Sequence, residues 1–463
     1  MTYKKHVLCG LASALLFVGS AHAADQFTLG RDILKQLIEI NSTHANGTTA
    51  AARAMAERLL AAGFPAADVT LVAPPKNPEM GNVVVRLRGR NAGKAVLFLG
   101  HLDVVEAKRE DWNFNPFELV EKDGWLYGRG VIDMKGQDAA MLAALITLKR
   151  EGFVPERDII VALTADEEAG SVANGADYLF KEQRALVDAG LVINPDAGEA
   201  GSKGGRRLYV GAQSSEKMYL TFQLEATDKG GHSSRPTNAN PIYQLARALG
   251  RVDSFAFPVH LTGTTTEYFK RRALLESGTM RADMLDVVKP APSKDALKRL
   301  SANVETNIVL RTTCTTTMIE GGHAENALPQ RARATIQCRV VPGESVDQVK
   351  GQLEHVIADR HLALTVLPGG MPSPETVITP AMMASIEGVV HSVWPGVAVL
   401  PLMSAGASDS VYTRALGVPT LGVDGMFDDL DDGRAHGRDE RIGVQAFKEE
   451  ISFINALMRT FSR

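Results

Sequence analysis

The segment AVLFLGHLD, residues 95–103, begins as an apolar run and ends in a histidine and an aspartate two positions apart. A short apolar run of this kind is typical of a strand that is buried on both faces, as the strands of parallel sheets are. The same pattern recurs in IIVALTADEE, residues 159–168, and in LVINPD, residues 191–196. Because sites in open α/β sheets form beyond the carboxyl ends of the strands, we expect these polar side chains to lie together.

The composition is that of a globular protein of more than one domain. The chain has 463 residues, of which 45% are hydrophobic and 22% are charged. A single hydrophobic core stops growing at roughly 250–300 residues, so this length predicts at least two domains. The net charge of -4 gives no electrostatic reason to expect a nucleic-acid partner.

The first 23 residues have the pattern of a signal peptide. Lys4 and Lys5 precede an apolar stretch from 7 to 19, and Ala-His-Ala at 21–23 supplies a cleavage site. A membrane anchor is the alternative, but the stretch is shorter than the ~20 residues that a span needs. We therefore expect an exported protein, periplasmic or secreted, without a stable membrane anchor. Cys314 and Cys338 would be its remaining cysteines, and the sequence leaves open whether they pair.

The order of elements predicts an α/β domain with an insertion. Residues 27–63 have helical spacing, and apolar strands then alternate with helices, which favours a doubly wound, mostly parallel sheet. The middle of the chain instead has alternating strands, at 217–227, 312–322 and 331–341, together with amphipathic helices. We expect the α/β domain to comprise residues 24–213 and 369–463, and a smaller, inserted α+β domain to comprise residues 214–368.

Further candidate site residues come from a glycine-rich loop and from the end of the chain. Asp133 lies in GRGVIDMKG, residues 128–136, and His436 lies in GRAHGRDERI, residues 433–442. Carboxylates crowded at one sheet edge repel one another unless cations are present, and histidines with carboxylates suit zinc, with cobalt or manganese as substitutes. Two divalent ions would be balanced by three carboxylates and a hydroxide. Each residue alone is explained as well by a strand end, a helix cap or a turn; the coincidence at successive strand ends favours a metal centre.

Six motifs in this order resemble those of the co-catalytic di-zinc exopeptidases. They are GHLDVV, GRGVIDMKG, TADEEAGS, NPDAGE, GGHSSRP and AHGRDERI. That family includes glutamate carboxypeptidase G, aminoacylase, carnosinase and succinyl-diaminopimelate desuccinylase, and the resemblance runs from about residue 30 to the C-terminus. It implies an α/β catalytic domain with an inserted lid domain that mediates dimerisation.

The resemblance also implies roles for individual residues. The implied metal ligands are His101 and Asp196 on one zinc ion, Glu168 and His436 on the other, and Asp133 bridging both. Asp103 would orient His101, and Glu167 would be the general base that takes a proton from the metal-bridging water and delivers it to the leaving amine.

The lid would contribute residues at the substrate. His232, in GGHSSRP, would reach the active site of the partner subunit in a homodimer and stabilise the oxyanion, and Asn326 and Gly406 would contact substrate. Ordinary turn residues are the alternative interpretation of His232 and Asn326. Some relatives hold the substrate carboxylate with an arginine near the return to the catalytic domain, but residues 367–375, LPGGMPSPE, contain none. Arg311 or Arg339 could replace it, and the sequence does not decide between them.

The function expected from these residues is that of an exported di-zinc metallopeptidase or amidase. Within this class, the sequence favours an exopeptidase of carboxypeptidase or dipeptidase type. Its substrates would be small peptides or N-acyl amino acids. A non-catalytic periplasmic binding protein on the same scaffold is disfavoured because no ligand and no base is missing. Another type of di-metal hydrolase, such as a phosphoesterase, is disfavoured because the sequence shows no basic cradle for a phosphate group. A serine nucleophile is set aside because no G-x-S-x-G motif is present.

Overall fold

The computed structural model describes residues 25–91, 93–169 and 173–463, so the predicted signal peptide lies outside the described residues. The helices are α1 (25–39), α2 (Thr49–Ala61), α3 (Lys135–Arg150), α4 (Gly175–Glu182), α5 (Arg184–Val187), α6 (Pro241–Asp253), α7 (Gly263–Arg272), α8 (Gly278–Val287), α9 (Lys294–Ala302), α10 (Val304–Leu310), α11 (Val346–Ile357), α12 (Pro380–Val393), α13 (Ser410–Ala415) and α14 (Val444–Phe461). The strands are β1 (Val69–Val72), β2 (Asn82–Leu87), β3 (Ala95–His101), β4 (Val120–Lys122), β5 (Trp125–Tyr127), β6 (Ile159–Thr164), β7 (Ala189–Ile193), β8 (Ala200–Lys203), β9 (Arg206–Glu216), β10 (Met218–Thr227), β11 (Gly231–His232), β12 (Thr313–Gly321), β13 (Ala327–Leu328), β14 (Arg331–Val340), β15 (Leu362–Val366), β16 (Ala398–Ser404), β17 (Thr420–Leu421), β18 (Phe427–Asp429) and β19 (Arg441–Gly443). In the part of the chain that the structure describes, no helix combines the length and apolar character that a membrane crossing requires.

The described chain folds into two compact units. The first contains the described residues up to Gln213, together with Ile378–Val399 and Ser408–Arg463; the second contains Ser214–Val377 and Leu400–Ala407. The second unit therefore extends nine residues beyond the expected end at 368 and gains a short later segment. The reason is local hydrogen bonding, because Thr376 N–H donates to Ser214 O at 2.8 Å and Lys217 N–H donates to Ser404 O at 2.9 Å.

The first unit is built on a six-stranded sheet in the order β1-β2-β6-β3-β7-β17. Strands β6, β3, β7 and β17 are parallel, whereas β2 and β1 are added antiparallel at one edge. Every residue of β3 and β6 is buried, as their continuous apolar runs predicted. The predicted α/β class is confirmed, and the sheet is mixed only at its β1–β2 edge.

Helices cover both faces of this sheet. Helices α1, α2, α3, α12 and α14 contribute to the larger apolar cluster, and α4 and α5 contribute to a smaller one. The helical pattern predicted over 27–63 is interrupted, because residues 40–48 form a loop between α1 and α2. Within it Gly47 has φ +70°, and a Cβ there would lie 2.4 Å from Glu79 O, so the loop turns where only glycine fits.

The second unit contains a four-stranded antiparallel sheet in the order β12-β14-β10-β15. Helices α6 and α11 share one apolar cluster with this sheet, and α7 to α10 enclose a separate one. Strand β12 was expected to alternate, but it is an edge strand whose residues are exposed from Thr315 onward. Cys314 on β12 and Cys338 on β14 are cross-strand neighbours and form a disulfide, which the sequence left open.

Candidate metal centre

Five candidate ligands converge beyond the carboxyl ends of the parallel strands of the first unit. His101 ends β3, Glu168 lies in the turn after β6, and Asp196 lies just after β7. Asp133 precedes α3, and His436 lies between β18 and β19. Ligand atoms of His101, Asp133 and Glu168 all lie within 4.8 Å of one another, which is compatible with a shared metal ion.

The carboxylate of Asp133 lies between the two histidines. Its Oδ1 is 3.2 Å from His101 Nε2, and its Oδ2 is 2.9 Å from His436 Nε2. Each histidine also has a carboxylate of its own: Asp196 Oδ1 is 3.6 Å from His101 Nε2, and Glu168 Oε1 is 3.0 Å from His436 Nε2. The geometry thus consists of two half-sites that share one carboxylate.

The charges of this cluster are strongly coupled. Burial raises the pKa of Asp133, but hydrogen bonds with His101 and His436 outweigh it and hold the pKa below its usual range. Hydrogen bonds to Asp133 and Glu168 raise the pKa of His436 to about 10. The pKa of Asp196 is raised by burial and by the charges of neighbouring aspartates. Carboxylates placed so close together and partly desolvated favour a compact cation at their centre.

Asp103 has a different contact from the one expected. His101 Nδ1 lies 3.1 Å from the main-chain oxygen of Asp103, whereas the nearer carboxylate oxygen is 3.6 Å away. The carboxylate instead accepts the backbone N–H groups of Glu167 at 3.1 Å and Glu168 at 3.0 Å. Asp103 therefore orients His101 through its backbone and uses its side chain to hold the turn that carries the two glutamates.

Glu167 and Glu168 differ in their environments although they are adjacent. Glu168 Oε1 faces His436, while no described residue hydrogen bonds with the carboxyl group of Glu167. Burial raises the pKa of Glu167 well above its usual value, and the charge of Asp196 adds to this. A carboxyl group that is free of ligands and has a raised pKa is suited to taking up and releasing a proton.

Glu440 is a supporting residue that the sequence reasoning missed. Its side chain accepts the backbone N–H groups of Gly130 at 2.9 Å and Ile132 at 2.7 Å, and it pairs with the Arg129 guanidinium at 2.5 Å. These contacts fix the loop that ends at Asp133. The signal was available, because Glu440 lies in the same motif as His436 and Arg129 in the same motif as Asp133.

The remaining predicted residues lie in the second unit. His232 on β11 pairs with Ala327 on β13, and the backbone O of Asn326 accepts the N–H of Ser233 at 3.0 Å, so His232 and Asn326 are neighbours on one small ribbon. Gly406 lies in the segment Leu400–Ala407, where its N–H donates to the Ser404 hydroxyl at 3.0 Å.

The two candidate arginines of the second unit are not equivalent. Arg311 is buried, and its guanidinium donates to Phe257 O at 3.1 Å and to the Ser301 hydroxyl at 2.6 Å. Arg339 is half-buried, stacks 4.7 Å from the ring centre of Tyr219, and donates to Ala405 O at 3.2 Å. Arg339 forms no ion pair with any described residue, so it retains donors for an anionic ligand.

A mixed α/β sheet with histidines and carboxylates gathered beyond its carboxyl edge is an arrangement that suits a metal-binding enzyme. Residues 97–460 match the profile of peptidase family M20/M25/M40, and the chain belongs to this family. The chain is thus a hydrolase of the metallopeptidase class that acts on peptide or amide bonds, which confirms the resemblance that the motifs indicated.

Relatives with known names lie within the same family. The N-fatty-acyl-amino acid synthase/hydrolase PM20D1 of Homo sapiens is 29% identical over 376 residues, which cover 78% of this chain and 73% of that protein. A succinyl-diaminopimelate desuccinylase of Dinoroseobacter shibae is 29% identical over 308 residues, covering 65% and 74%. Among solved structures, an M20 family metallo-carboxypeptidase of Sulfolobus solfataricus shares the fold with a TM-score of 0.69 at 20% identity, covering 94% of this chain and 99% of that one. Human carnosine dipeptidase 1 has a TM-score of 0.63 at 19% identity, covering 96% and 98%.

Proposed function

We propose that this protein is an exported di-zinc exopeptidase or amidase that hydrolyses the amide bond of small peptides or N-acyl amino acids. The observation that carries the proposal is the position of the Asp133 carboxylate, with one oxygen toward each histidine. Each half-site has one histidine, one carboxylate of its own and the shared one, which suits a pair of divalent ions with positions left for water and substrate. Cobalt or manganese are plausible substitutes for zinc.

The pairing of these donors supports two metal ions. His101 and Asp196 would hold one ion, Glu168 and His436 would hold the other, and Asp133 would be common to both. When bound, the ions supply Lewis acidity, which lowers the pKa of water and polarises the scissile carbonyl. Glu167 accepts the proton of the attacking water and donates it to the departing amine.

Arg339 is the residue that we assign to the substrate carboxylate. It lies beside the loop containing Gly406, it is anchored by Tyr219, and it has unused guanidinium donors. Planar guanidinium groups bind carboxylates in a bidentate manner. This favours substrates with a free carboxylate, such as the C-terminal residue of a peptide or the amino acid part of an N-acyl amino acid.

Homodimer formation through the second unit is supported by its exposed apolar residues. Met318 and Ile319 on edge strand β12 are 68% and 66% exposed, and Tyr243 on α6 is 64% exposed. An open edge strand with apolar side chains is a ready surface for pairing with a second copy. In such a dimer His232 would act at the active site of the partner subunit.

Export is supported by the disulfide between Cys314 and Cys338. Disulfides form and persist in oxidising compartments and are rare in the cytosol. Together with the signal-peptide pattern of residues 1–23, the disulfide favours a periplasmic or secreted location.

Product analysis by mass spectrometry tests the proposed function. Zinc-loaded mature protein is incubated with matched peptides that are free at both ends, blocked at the N-terminus, or amidated at the C-terminus, and with an N-acyl amino acid. We expect cleavage of the N-blocked peptide and of the N-acyl amino acid, and loss of cleavage on C-terminal amidation. Arg339→Gln is expected to raise KM for substrates with a free carboxylate, with a smaller effect on kcat.

Other outcomes would contradict the proposal in distinguishable ways. Cleavage only of peptides with a free amine would indicate an aminopeptidase and would remove the role assigned to Arg339. Hydrolysis of a phosphate ester without amide cleavage would indicate a phosphoesterase. Binding of peptide without any product would indicate a non-catalytic binding protein.

A further inference from the structure

A histidine outside the predicted site contacts the turn that carries Glu167. His44 lies in the loop between α1 and α2, and its Nδ1 is 2.8 Å from Asp166 Oδ1. The two partners differ in exposure, because the side chain of His44 is 55% exposed and that of Asp166 is fully buried. Asp166 immediately precedes Glu167 in the chain, so this contact holds the backbone next to the residue proposed as the general base.

The loop that carries His44 is fixed to the segment that follows β3, which ends at the proposed ligand His101. The Ser42 hydroxyl donates to Leu102 O at 2.6 Å, and Thr43 forms a β-bridge with Val104. Asn46 closes the loop on itself by donating to the Thr43 hydroxyl at 2.7 Å. These contacts hold the backbone of the loop in place, so the imidazole of His44 has a fixed position beside the segment that follows His101.

Asp166 has a backbone conformation that needs such support. Its φ is +61°, in the left-handed region that residues other than glycine rarely adopt. One carboxylate oxygen accepts from His44, and the other accepts the N–H of Ala173 at 3.0 Å. Together with the Asp103 carboxylate on the N–H groups of Glu167 and Glu168, these contacts hold the turn from both ends.

We infer that His44 is a positioning residue for catalysis. By donating a hydrogen bond from Nδ1 to the Asp166 carboxylate, it holds the backbone of the turn and thereby sets the direction in which the Glu167 side chain projects. The inference rests on the proposed role of Glu167 as general base. The contact requires only an N–H at the Nδ1 position, because the imidazole is 2.8 Å from the carboxylate through that atom alone. The reacting groups themselves do not touch His44.

Three substitutions separate positioning from other roles. In His44→Asn the amide nitrogen occupies nearly the place of Nδ1, so the hydrogen bond to Asp166 is retained. His44→Gln moves the donor one bond further out, and His44→Ala removes it. His391→Ala is the matched control, because His391 is also an exposed histidine of the first unit with one hydrogen bond, to Val397 O.

The zinc-loaded variants are compared by steady-state kinetics on one N-acyl amino acid, with zinc content and Tm measured on the same samples. We expect His44→Ala and His44→Gln to lower kcat about 10- to 100-fold, with KM and zinc content changed less than about twofold. For His44→Asn and His391→Ala, we expect kcat to remain within about threefold of the wild-type value. This change is small compared with the loss expected when a hydrogen bond that supports a metal site is broken.

Several results would overturn the inference. An unchanged kcat in His44→Ala, a loss of zinc that accounts for the lost activity, or a failure of His44→Asn to restore kcat would each do so. Glu167→Ala is measured in parallel to keep the two proposals apart. If Glu167→Ala retains full activity, the role of Glu167 as general base fails, and the inference fails with it; if it abolishes turnover while His44→Ala is fully active, only the role of His44 is wrong.

Discussion

The division of labour between Glu167 and Glu168 is set by what each side chain faces. Glu168 is 3.0 Å from His436, in line for a metal ion, whereas the carboxyl group of Glu167 has no hydrogen-bonding partner among the described residues. Burial and the neighbouring charge of Asp196 raise the pKa of Glu167 well above its usual value. The same turn can therefore supply one ligand and one proton carrier.

A substitution at Glu167 tests this division. We expect Glu167→Gln to lower kcat by about 10²- to 10⁴-fold, because the amide cannot transfer a proton. Metal content should be unchanged, since Glu167 is not one of the five proposed ligands. Kinetics and metal analysis on one preparation check both points. Glu168→Gln serves as the comparison, and an equal loss of metal from both variants would contradict the assignment.

The convergence of the proposed ligands was predictable from sequence, whereas the residues that support them were only partly so. His101, Glu168 and Asp196 follow buried apolar strands, and the rule that such strand ends meet at one edge brings them together. The contacts of Asp103 depend on the path of the turn after β6, which a spacing of two residues does not determine. His44 lies in a loop that the helical spacing over 27–63 concealed, although the Asn46-Gly47 dipeptide is a local turn signal.

At the scale of elements, the disulfide ties an edge strand to the interior of its sheet. Cys314 on β12 is joined to Cys338 on β14, which is buried. The bond closes a loop with a sequence separation of 24 residues. Strand β12 has hydrogen-bonding partners on one side only among the described strands, so the covalent link acts where backbone pairing is incomplete.

Removal of this bond should destabilise the protein measurably. We expect Cys314→Ala combined with Cys338→Ala to lower the free energy of unfolding by about 3 kcal/mol, since the cross-link restricts the unfolded chain. Urea denaturation with and without dithiothreitol measures this. The reductant should lower the midpoint of the wild type and leave that of the double variant unchanged. Free thiols at both positions in the purified, unreduced protein would contradict the assignment.

A second element-scale feature is a pair of buried acids formed by Asp424 and by Glu450 on α14. The N–H of Gly425, the residue after Asp424, donates to Glu450 Oε2 at 2.8 Å, and the two carboxyl groups are close enough to shift one another's pKa. Burial raises the pKa of Asp424 to about 7 and that of Glu450 well above its usual value. Two such groups side by side hold at least one proton at neutral pH.

The pair should make the stability of the protein fall as the pH rises. The folded state binds more protons than the unfolded state above the ordinary carboxyl pKa of about 4, so the stabilisation present below that pH is lost on passing pH 7. We expect Glu450→Gln to be more stable than the wild type at pH 8, by at least about 1 kcal/mol, with a smaller difference at pH 5. Thermal unfolding across this pH range measures it, with exposed Glu182→Gln as the control. A pH dependence identical to that of the wild type would show that the pair does not carry it.

At the scale of the whole molecule, dimer formation through the second unit is open to a direct test. We expect the wild-type protein to have twice the chain mass in mass photometry, and Ile319→Lys on edge strand β12 to shift it to monomer, because a charge on the edge prevents strand pairing. Val304→Lys on α10 replaces another exposed apolar residue and should leave the dimer intact. A fully active wild-type monomer would exclude both the dimer and the role of His232 in a partner subunit.

The parts of the architecture that depend on burial were predictable from the pattern of apolar and polar residues. Apolar runs such as residues 95–100 identified the parallel strands, and alternation along 217–227 identified the different texture of the second unit. The pattern did not predict that β2 runs antiparallel, because a strand buried on both faces looks the same in either direction. The continuation of the second unit to Val377 depends on hydrogen bonds between distant segments, which no local pattern encodes.

The proposed chemistry rests on five side chains that would hold two metal ions, with Asp133 common to both. The most direct measurement is the metal content of the purified mature protein after chelation and titration with zinc, in parallel with hydrolysis of an N-acyl amino acid. We predict two zinc ions per chain, activity that appears with them, and loss of both ions in Asp133→Asn. Full activity in the metal-free protein, or an Asp133→Asn variant that retains two ions and wild-type turnover, would contradict this assignment.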